Sequence, residues 1–300
     1  MTTTNDAYIT DDAHGPHWRL MLGDSCERLA EIATDTIGMS VYSPPFASLF
    51  TYSPSVRDLG NAASREEFLD HYSYIIAELL RVTMPGRITC VHVQQLTTTK
   101  TTHGTVGLTD FRGDVIRAYL DAGWIFHGEV TIDKDPQAQA IRTKAQALMF
   151  VTKNRDSSMT RPALADYLLL FRKPGDNPTP IKNDVSNDEW IDWARPVWLD
   201  IRETNTLNAR LGRDDADERH ICPLQLDFIE RCIRLWSNPG ETVLTPFAGI
   251  GSEVYTAVKL GRRAIGIELK PSYWQSAVAV MRDLDREMSI PTLMDAIESA

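Results

Sequence analysis

The sequence lacks several features that would assign it to a membrane, a secretory pathway or a structural metal. Its 300 residues include only four cysteines, and no two of them have a C-x-x-C spacing, which argues against a disulfide framework or a zinc site. No apolar run approaches the ~20 residues needed to span a bilayer. The polar start, MTTTNDAYITDD, has no basic region followed by an apolar one. We therefore expect a cytoplasmic protein without membrane or metal, and a flexible N-terminus over residues 1–17.

An excess of basic charge is absent as well. The net charge is −10, so any surface that binds a polyanion has to be local. Residues 133–173 are a candidate, because they carry 8 Lys and Arg against 4 Asp. The composition, 43% hydrophobic and 24% charged, is typical of a globular protein with a large core.

Predicted strands alternate with predicted helices along most of the chain. The hydrophobic patterns indicate strands at 18–22, 39–42, 87–93, 124–132, 167–171, 242–244 and 264–268. Helices are indicated at 26–32, from Ser64 to a stop at Pro85-Gly86, at 111–121, from Pro136, at 224–236, after Ser252 and at 273–288. This alternation predicts an α/β fold with a doubly wound, mostly parallel sheet, and segment 124–171 is a candidate antiparallel edge.

The acidic segment 174–219 interrupts this alternation. It holds 11 Asp and Glu against 6 Lys and Arg, with four prolines and three tryptophans. We interpret it as a small inserted region or a long excursion. Its negative charge argues against broad contact with phosphates, so its tryptophans, Trp190, Trp193 and Trp198, are expected in a small core or a dimer interface.

A double proline ends one predicted strand, in the run GMSVYSPPFASLF. Neither Pro44 nor Pro45 has an N–H group to donate, so they cannot sit in a central strand or continue a helix. A hydroxyl, Ser43, and an aromatic ring, Phe46, flank them. A buried strand that ends in two rigid prolines beside a hydroxyl group indicates a functional site at that end.

The segment ETVLTPFAGIGSEVYTAVKLGRRAIGIELK has the form strand, glycine turn, helix, strand. Glycines allow the backbone to approach a ligand and lead into a helix N-terminus. Glu268 follows Gly249 by 19 positions, at the end of the next strand, where a carboxylate can accept hydrogen bonds from both ribose hydroxyls. An adenosine-containing cofactor is implied. Val254 occupies the place where a dinucleotide fingerprint requires a third small residue.

Together, the Ser-Pro-Pro-Phe and Pro-Phe-Ala-Gly-Ile-Gly motifs resemble those of the β class of DNA amino-methyltransferases, which use S-adenosylmethionine. The resemblance extends from about residue 18 to residue 274, with the motifs about 200 residues apart. It implies a Rossmann-like methyltransferase fold and a catalytic motif of Ser43, Pro44, Pro45 and Phe46. The implied cofactor-binding residues are Asp24, His220, Pro223, Pro246, Phe247, Ala248, Gly249, Gly251, Ser252 and Glu268. Thr245 stands where the family usually carries Asp, which puts cofactor affinity in question.

The chemistry expected of the Ser-Pro-Pro-Phe motif follows from the fact that the exocyclic amine of a nucleic-acid base is a poor nucleophile. The Ser43 hydroxyl and the Pro44 carbonyl can accept its two hydrogens, and the prolines hold that carbonyl in place. Phe46 can stack on the base, a contact of roughly 1–3 kcal/mol, once the base has flipped out of the duplex. Double-stranded DNA is the implied partner. Candidate DNA contacts are Phe50, Tyr52, Arg57, Arg142, Lys144, Lys153, Arg155 and Arg161.

Several alternatives remain open from the sequence. Serine in the first motif position resembles the cytosine-N4 members more than the adenine-N6 members, but both amines need the same two acceptors. The substrate could instead be RNA or a protein amide, and Thr245 leaves room for a non-catalytic DNA-binding module. We divide the chain into a catalytic half (18–173), a recognition or dimerisation region (174–219) and a cofactor half (220–300), with a homodimer as one option. His92, His127 and Cys90 are expected in the core.

Overall fold

The protein was analysed as a computed structural model, which describes residues 8–45, 57–62, 64–137, 139, 154–159, 161–182, 184–207 and 223–290. The strands are β1 (Asp11–His14), β2 (Trp18–Leu22), β3 (Ile37–Tyr42), β4 (Thr83–Gln94), β5 (Leu96–Thr98), β6 (Gly107–Thr109), β7 (Ile125–Ile132), β8 (Asp166–Arg172), β9 (Val197–Trp198), β10 (Thr242–Thr245) and β11 (Arg263–Glu268). The helices are α1 (Ser25–Arg28), α2 (Arg65–Val82), α3 (Lys100–His103), α4 (Phe111–Asp121), α5 (Asn187–Trp193), α6 (Leu226–Trp236), α7 (Ser252–Lys259) and α8 (Pro271–Ser289).

Nine strands form one sheet in the order β1-β2-β11-β10-β3-β4-β8-β7-β9. The five strands from β2 to β4 in this order are mutually parallel. β1 and β8 pair antiparallel with the two outer members of that group, and β7 is antiparallel to β8. The predicted mostly parallel sheet with an antiparallel edge is confirmed.

The direction in which the sheet grows reverses between β10 and β3. From β3 the chain crosses through α2 to β4 on one side, and from β10 it crosses through α7 to β11 on the other. In an open α/β sheet such a switch point leaves a crevice at the carboxyl ends of the strands, where ligands bind. Both sequence motifs directly follow these two strands.

Helices cover both faces of the sheet. Side chains alternate along the strands, so Leu20 packs on the face covered by α6, α7 and α8, and Met21 packs on the opposite face with α2 and α4. On the second face, α2 buries Phe68, Tyr72, Ile75, Ile76 and Leu79 at helical spacing. The result is the three-layer architecture of doubly wound proteins.

The end of α2 differs from the prediction. The Ser64 side chain caps the helix by accepting from the Glu67 backbone N–H, as the sequence indicates. However, the helix ends at Val82, before Pro85-Gly86, because Thr83 is already extended and pairs with Ile37 of β3. A residue before proline is also biased toward extended backbone, which places Met84 in the strand.

Two predictions about the ends of the sheet need correction. The N-terminal region is not flexible throughout, because Asp11–His14 forms edge strand β1, and Asp12 makes ion pairs with Arg19 and Arg28. The described part of the acidic segment does not form a core of its own. Its strand β9 pairs with β7, and Trp198 is buried in the main core at 1% exposure. Trp190 is exposed, at 48%.

Within the described part of the chain, no helix combines the length and the apolar character that crossing a lipid bilayer requires.

Candidate active site

A cleft lies at the carboxyl ends of the central strands, at the switch point. Its cavity volume is about 180 Å³, far more than a single water molecule occupies. Residues of both sequence motifs line it together with the ends of β2 and β11: Asp24, Ser43, Pro44, Pro45, Pro223, Pro246, Phe247, Ala248, Gly249, Ser252 and Glu268. The two motifs, distant along the chain, therefore meet in one cavity. Within the described residues, no cluster of His, Cys, Asp and Glu side chains is suited to hold a metal ion.

The proline motif forms one wall of this cleft. β3 ends at Tyr42, whose ring packs against Phe247 of the glycine turn with centroids 5.7 Å apart. Ser43 follows directly, and its hydroxyl donates to the His92 carbonyl oxygen at 3.2 Å. Pro44 is buried and Pro45 is half-buried. Phe46 lies outside the described residues, so its stacking role stays a prediction.

The glycine turn follows the neighbouring strand β10 and also lines the cleft. Gly251, the N-cap of α7, has φ of 92°, a left-handed conformation that favours glycine. A Cβ atom at this position would lie 3.1 Å from the Cβ of Ala277 in α8. At Gly251 the turn therefore approaches α8 closely, in a backbone conformation that a larger residue would strain.

Glu268, at the end of β11, ties the turn in place. One carboxylate oxygen accepts from the Gly249 N–H at 2.7 Å, and the other accepts from the Lys270 N–H at 2.8 Å. Burial raises the pKa of Glu268 to about 7, although both backbone donors lower it. Each carboxylate oxygen has two lone pairs, so this group keeps acceptor capacity for a ligand.

Asp24 begins the other side of the cleft, after β2. It caps α1 by accepting from the Cys26 N–H at 2.9 Å. Arg57 lies 3.3 Å from Asp24 and 2.5 Å from Glu27, and stacks over the ring of Tyr8. Arg57 thus lines the cleft but shares its charge with two carboxylates, which reduces what it can offer a DNA phosphate. Its predicted DNA contact stays a prediction.

Two hydroxyls at the glycine turn are buried without a hydrogen-bond partner in the described structure. They belong to Thr245, the last residue of β10, and Ser252, the first residue of α7. Buried polar groups are usually satisfied, so unpaired ones need a reason. Ser252 lines the cleft, and its free hydroxyl fits a polar ligand there.

Glu253 is a site residue that the sequence did not single out. It lines the same cleft, is 5% exposed, and has no ion-pair partner in the described structure. Burial is the main cause that raises the pKa of its carboxyl to about 8, and the nearby charge of Glu268 adds to it.

We expect this carboxyl to make the ligand-free protein less stable as the pH rises. The ordinary pKa of a Glu side chain is 4.5, so between that value and about 8 the folded state binds more protons than the unfolded state. The contribution is fully present below the unfolded pKa and is lost through pH 8. Glu253→Gln should melt close to wild type at pH 5 but be more stable at pH 8.5, by roughly 3–5 kcal/mol at most.

Thermal unfolding at both pH values tests this, with Glu287→Gln as the matched control. Glu287 is exposed on α8, so its variant should follow the pH dependence of wild type. An equal shift of the melting temperature for Glu253→Gln at pH 5 and pH 8.5 would contradict the prediction.

His92 also belongs to this site, although the sequence placed it in the core. It is buried near the end of β4 and contacts Ser43 through both its carbonyl oxygen and its ring. Its other ring nitrogen lies 3.0 Å from Asp166 at the start of β8. The sequence held one indication of this role, because His92 lies near the carboxyl end of a predicted strand, which is the edge of the sheet where ligands bind.

Of the other two residues expected in the core, Cys90 is buried. His127 is exposed, which corrects the prediction for that residue.

Several predicted site residues fall outside the described structure. They are the catalytic Phe46, the cofactor residue His220 and the DNA candidates Phe50, Tyr52, Arg142, Lys144 and Lys153. Of the remaining DNA candidates, Arg155 is exposed and Arg161 is half-buried.

Fold and site together define an α/β protein with a doubly wound sheet and a ligand cleft at its switch point. The chain belongs to the DNA methylase family N6_N4_Mtase, whose model matches residues 37–279. The matched region contains the proline motif, the glycine turn and the strands that carry them.

Curated relatives match over part of their length. The type II methyltransferase M.BglI from Bacillus subtilis is 33% identical over 111 residues, which are 37% of this chain and 28% of that protein. The type II methyltransferase M.MjaI from Methanocaldococcus jannaschii is 25% identical over 205 residues, 65% of this chain and 61% of that protein. The chain thus spans less than two thirds of either relative.

Solved structures share the fold. A protein from Thermus thermophilus described as a DNA modification methylase, complexed with S-adenosyl-L-methionine, superposes with a TM-score of 0.65 at 24% identity. The match covers 89% of this chain and 96% of that one. The PvuII DNA methyltransferase, described as cytosine-N4-specific, gives a TM-score of 0.58 at 18% identity, with 91% and 92% covered.

Proposed function

We propose that this chain transfers a methyl group from S-adenosylmethionine to the exocyclic amine of a base in double-stranded DNA, at N4 of cytosine or N6 of adenine. The observation that carries the proposal is the meeting of Ser43-Pro44-Pro45 with the glycine turn and Glu268 in one cleft. Family membership and the relatives' names, type II methyltransferases, support the same reaction.

The residues of the cleft fit this cofactor. Glu268 retains lone pairs for the ribose hydroxyls, and the unpaired Ser252 hydroxyl and the N-terminus of α7 are polar groups for its other end. A cationic ligand in the cleft would favour the ionised forms of Glu253 and Glu268, whose pKa values burial raises. S-adenosylmethionine supplies an electrophilic methyl group on sulfur. Thr245 provides a hydroxyl at the end of β10 but no negative charge.

The proline motif prepares the nucleophile. The Ser43 hydroxyl oxygen and the Pro44 carbonyl accept the two amine hydrogens, which draws the nitrogen lone pair out of conjugation and holds it toward the methyl group. Proline rings fix the backbone, so the carbonyl needs little reorganisation. Phe46 completes the site in this proposal by stacking on the flipped base.

We place DNA contacts on Arg155, Arg161 and Arg57 and, outside the described residues, on Phe50, Tyr52, Arg142, Lys144 and Lys153. The acidic segment 174–219 is the proposed recognition or dimerisation region, and the cytoplasm the proposed compartment. The cytosine specificity given for the PvuII enzyme, together with serine in the motif, leads us to test N4 of cytosine first.

Separate incubations with duplex DNA of mixed sequence, RNA or a protein mixture test the proposal. Each contains S-adenosylmethionine tritiated at the methyl group, and nucleoside analysis follows for the nucleic acids. We expect label in DNA as N4-methylcytosine or N6-methyladenine, and none above background in RNA. Label in RNA or protein alone would support those substrates instead. Calorimetry with S-adenosylhomocysteine provides the second arm, because a non-catalytic DNA-binding module with a degenerate pocket should bind it weakly or not at all.

A further inference from the structure

A chain of side chains leads from Ser43 into the protein. The His92 Nδ1 atom lies 3.4 Å from Ser43 Oγ, and its Nε2 atom lies 3.0 Å from an Asp166 carboxylate oxygen. The residue is 6% exposed overall, and its ring meets the Phe228 ring edge-on, with centroids 5.1 Å apart. The ring is carried by β4, and its partners come from β8, from α6 and from the residue that directly follows β3, so several elements fix its position.

Asp166 fixes which nitrogen of His92 carries the proton. Burial raises the pKa of Asp166, but its charged and hydrogen-bonding neighbours outweigh burial, so the pKa lies below its ordinary value. The Lys134 ammonium, 2.7 Å away, keeps the carboxylate ionised even beside a neutral imidazole. An ionised carboxylate beside Nε2 requires an N–H there. Nδ1 then presents a lone pair toward Ser43.

Among the residues that the structure describes, the hydroxyl hydrogen of Ser43 has two acceptors, and both belong to His92. They are the carbonyl oxygen at 3.2 Å and Nδ1 at 3.4 Å. With the hydrogen turned toward His92, lone pairs of Oγ remain for the base amine in the cleft. Of the two acceptors, only Nδ1 is basic enough to take up a proton.

We propose that His92, oriented by Asp166, receives through Ser43 the proton that the base amine loses on methylation. This inference rests on the proposed function. As nitrogen forms its bond to the methyl carbon, the bond from that carbon to sulfur breaks and leaves its electron pair on sulfur. One N–H bond of the amine breaks as well, and its proton passes to Ser43 Oγ. The hydroxyl proton passes at the same time to His92 Nδ1. The imidazolium is held by Asp166 and returns its proton to water, so Ser43 and His92 end as they began.

The charges around the His92 imidazole are compatible with its transient protonation. In the described structure, the titratable groups that face it are Asp166 from β8 and Lys134 after β7, which lie 2.7 Å apart. Gln94 donates to the second Asp166 oxygen at 2.7 Å. The charges of Lys134 and Asp166 cancel, so the buried cluster of Lys134, Asp166 and His92 has no net charge as long as the imidazole is neutral. His92 acts through Ser43 and is therefore a positioning residue.

His92→Gln is the principal test variant, because its amide can still donate to Asp166 but cannot take up a proton. We expect its single-turnover methylation rate to fall about 10²-fold, with binding of S-adenosylhomocysteine within about twofold of wild type. In a Ser43→Ala background the same substitution should lower the rate less than about threefold, because the relay is already broken. His14→Gln, on β1 at the far edge of the sheet, is the matched control and should keep the wild-type rate.

The pH profile provides a readout that a structural role would not give. At S-adenosylmethionine concentrations that saturate the protein at every pH, the wild-type rate should fall as the pH is lowered, because a proton on Nδ1 removes the acceptor. Under the same conditions this fall should be absent in His92→Gln. Equal losses from His92→Gln in both backgrounds, or an unchanged pH profile, would overturn the relay. A wild-type protein that labels no DNA contradicts the proposed function itself, and the relay with it.

If His92→Gln does not fold, nitrogen-15 NMR of histidine-labelled wild-type protein tests the proposal by showing which ring nitrogen of His92 carries the proton. We expect the neutral His92 ring to carry its proton on Nε2, with Nδ1 unprotonated. A neutral ring protonated on Nδ1 would overturn the proposal, because that nitrogen could then accept nothing from Ser43.

Discussion

Replacing Ser43 by alanine is expected to lower the rate of methyl transfer by about 10²–10³-fold, while the cofactor product still binds as it does to wild type. The hydroxyl oxygen is one of two acceptors that we assign to the base amine, and removal of one such preorganised group in an active site has about this effect. The Pro44 carbonyl remains, so activity should be reduced and not abolished. Ser43 belongs to the proline motif and not to the glycine turn that we assign to the cofactor, so cofactor contacts should be preserved.

Single-turnover transfer of tritium to DNA measures the rate, and calorimetry with S-adenosylhomocysteine measures the retained binding. Ser73→Ala is the matched control, because Ser73 is exposed on α2 and, within the described part of the chain, its hydroxyl donates only to the Asp70 carbonyl of its own helix. A Ser43→Ala protein with the wild-type rate would remove Ser43 from the mechanism. Loss of binding by Ser43→Ala would mean that the residue serves the cofactor instead.

The meeting of the two motifs could be predicted from the sequence, for a physical reason. Ser43 and Pro246 each follow directly on a strand, and the carboxyl ends of parallel strands lie at the same edge of a sheet. Alternation of strands with helices indicates a parallel sheet. The local pattern of the glycine turn and the distance to Glu268 then place the cofactor residues on neighbouring strands.

The residues behind Ser43 could not be predicted in this way. Asp166 reaches the same edge because β8 runs antiparallel to β4, so its first residue pairs with Gln94 near the carboxyl end of β4. Periodicity identifies a strand but does not say which strand it will pair with or in which direction. The sequence consequently predicted His92 as a core residue, although its ring belongs to a row of polar side chains that leads to the cleft.

Short edge strands and ion pairs could not be predicted from the sequence, for related reasons. β9 consists of two residues, too few to show an alternating pattern, and its place beside β7 depends on the burial of Trp198. Arg57 carries a charge suited to phosphate, but the fold brings Asp24 and Glu27 against it. Such partners come from elements that are distant in sequence, so composition alone does not reveal them.

Glu268→Ala is the second change with a large expected effect, a loss of about 10²-fold in affinity for S-adenosylhomocysteine. Hydrogen bonds to a charged acceptor each contribute about 1.5–3 kcal/mol, and we assign two ribose hydroxyls to this carboxylate. The same substitution also frees the Gly249 and Lys270 N–H groups, so part of the loss could come from the turn. A modified ligand separates these two causes.

The 2′-deoxyribose analogue of S-adenosylhomocysteine lacks one of the proposed hydroxyls. Wild type should bind it about tenfold or more weakly than the natural ligand, whereas Glu268→Ala should bind the two with similar affinity. Loosening of the turn would instead weaken both ligands equally and keep their ratio. The wild-type affinity should also rise with pH through about 7, because burial raises the pKa of Glu268 to that value and the ionised form is the better acceptor. Unchanged affinity in Glu268→Ala would show that the cofactor lies elsewhere.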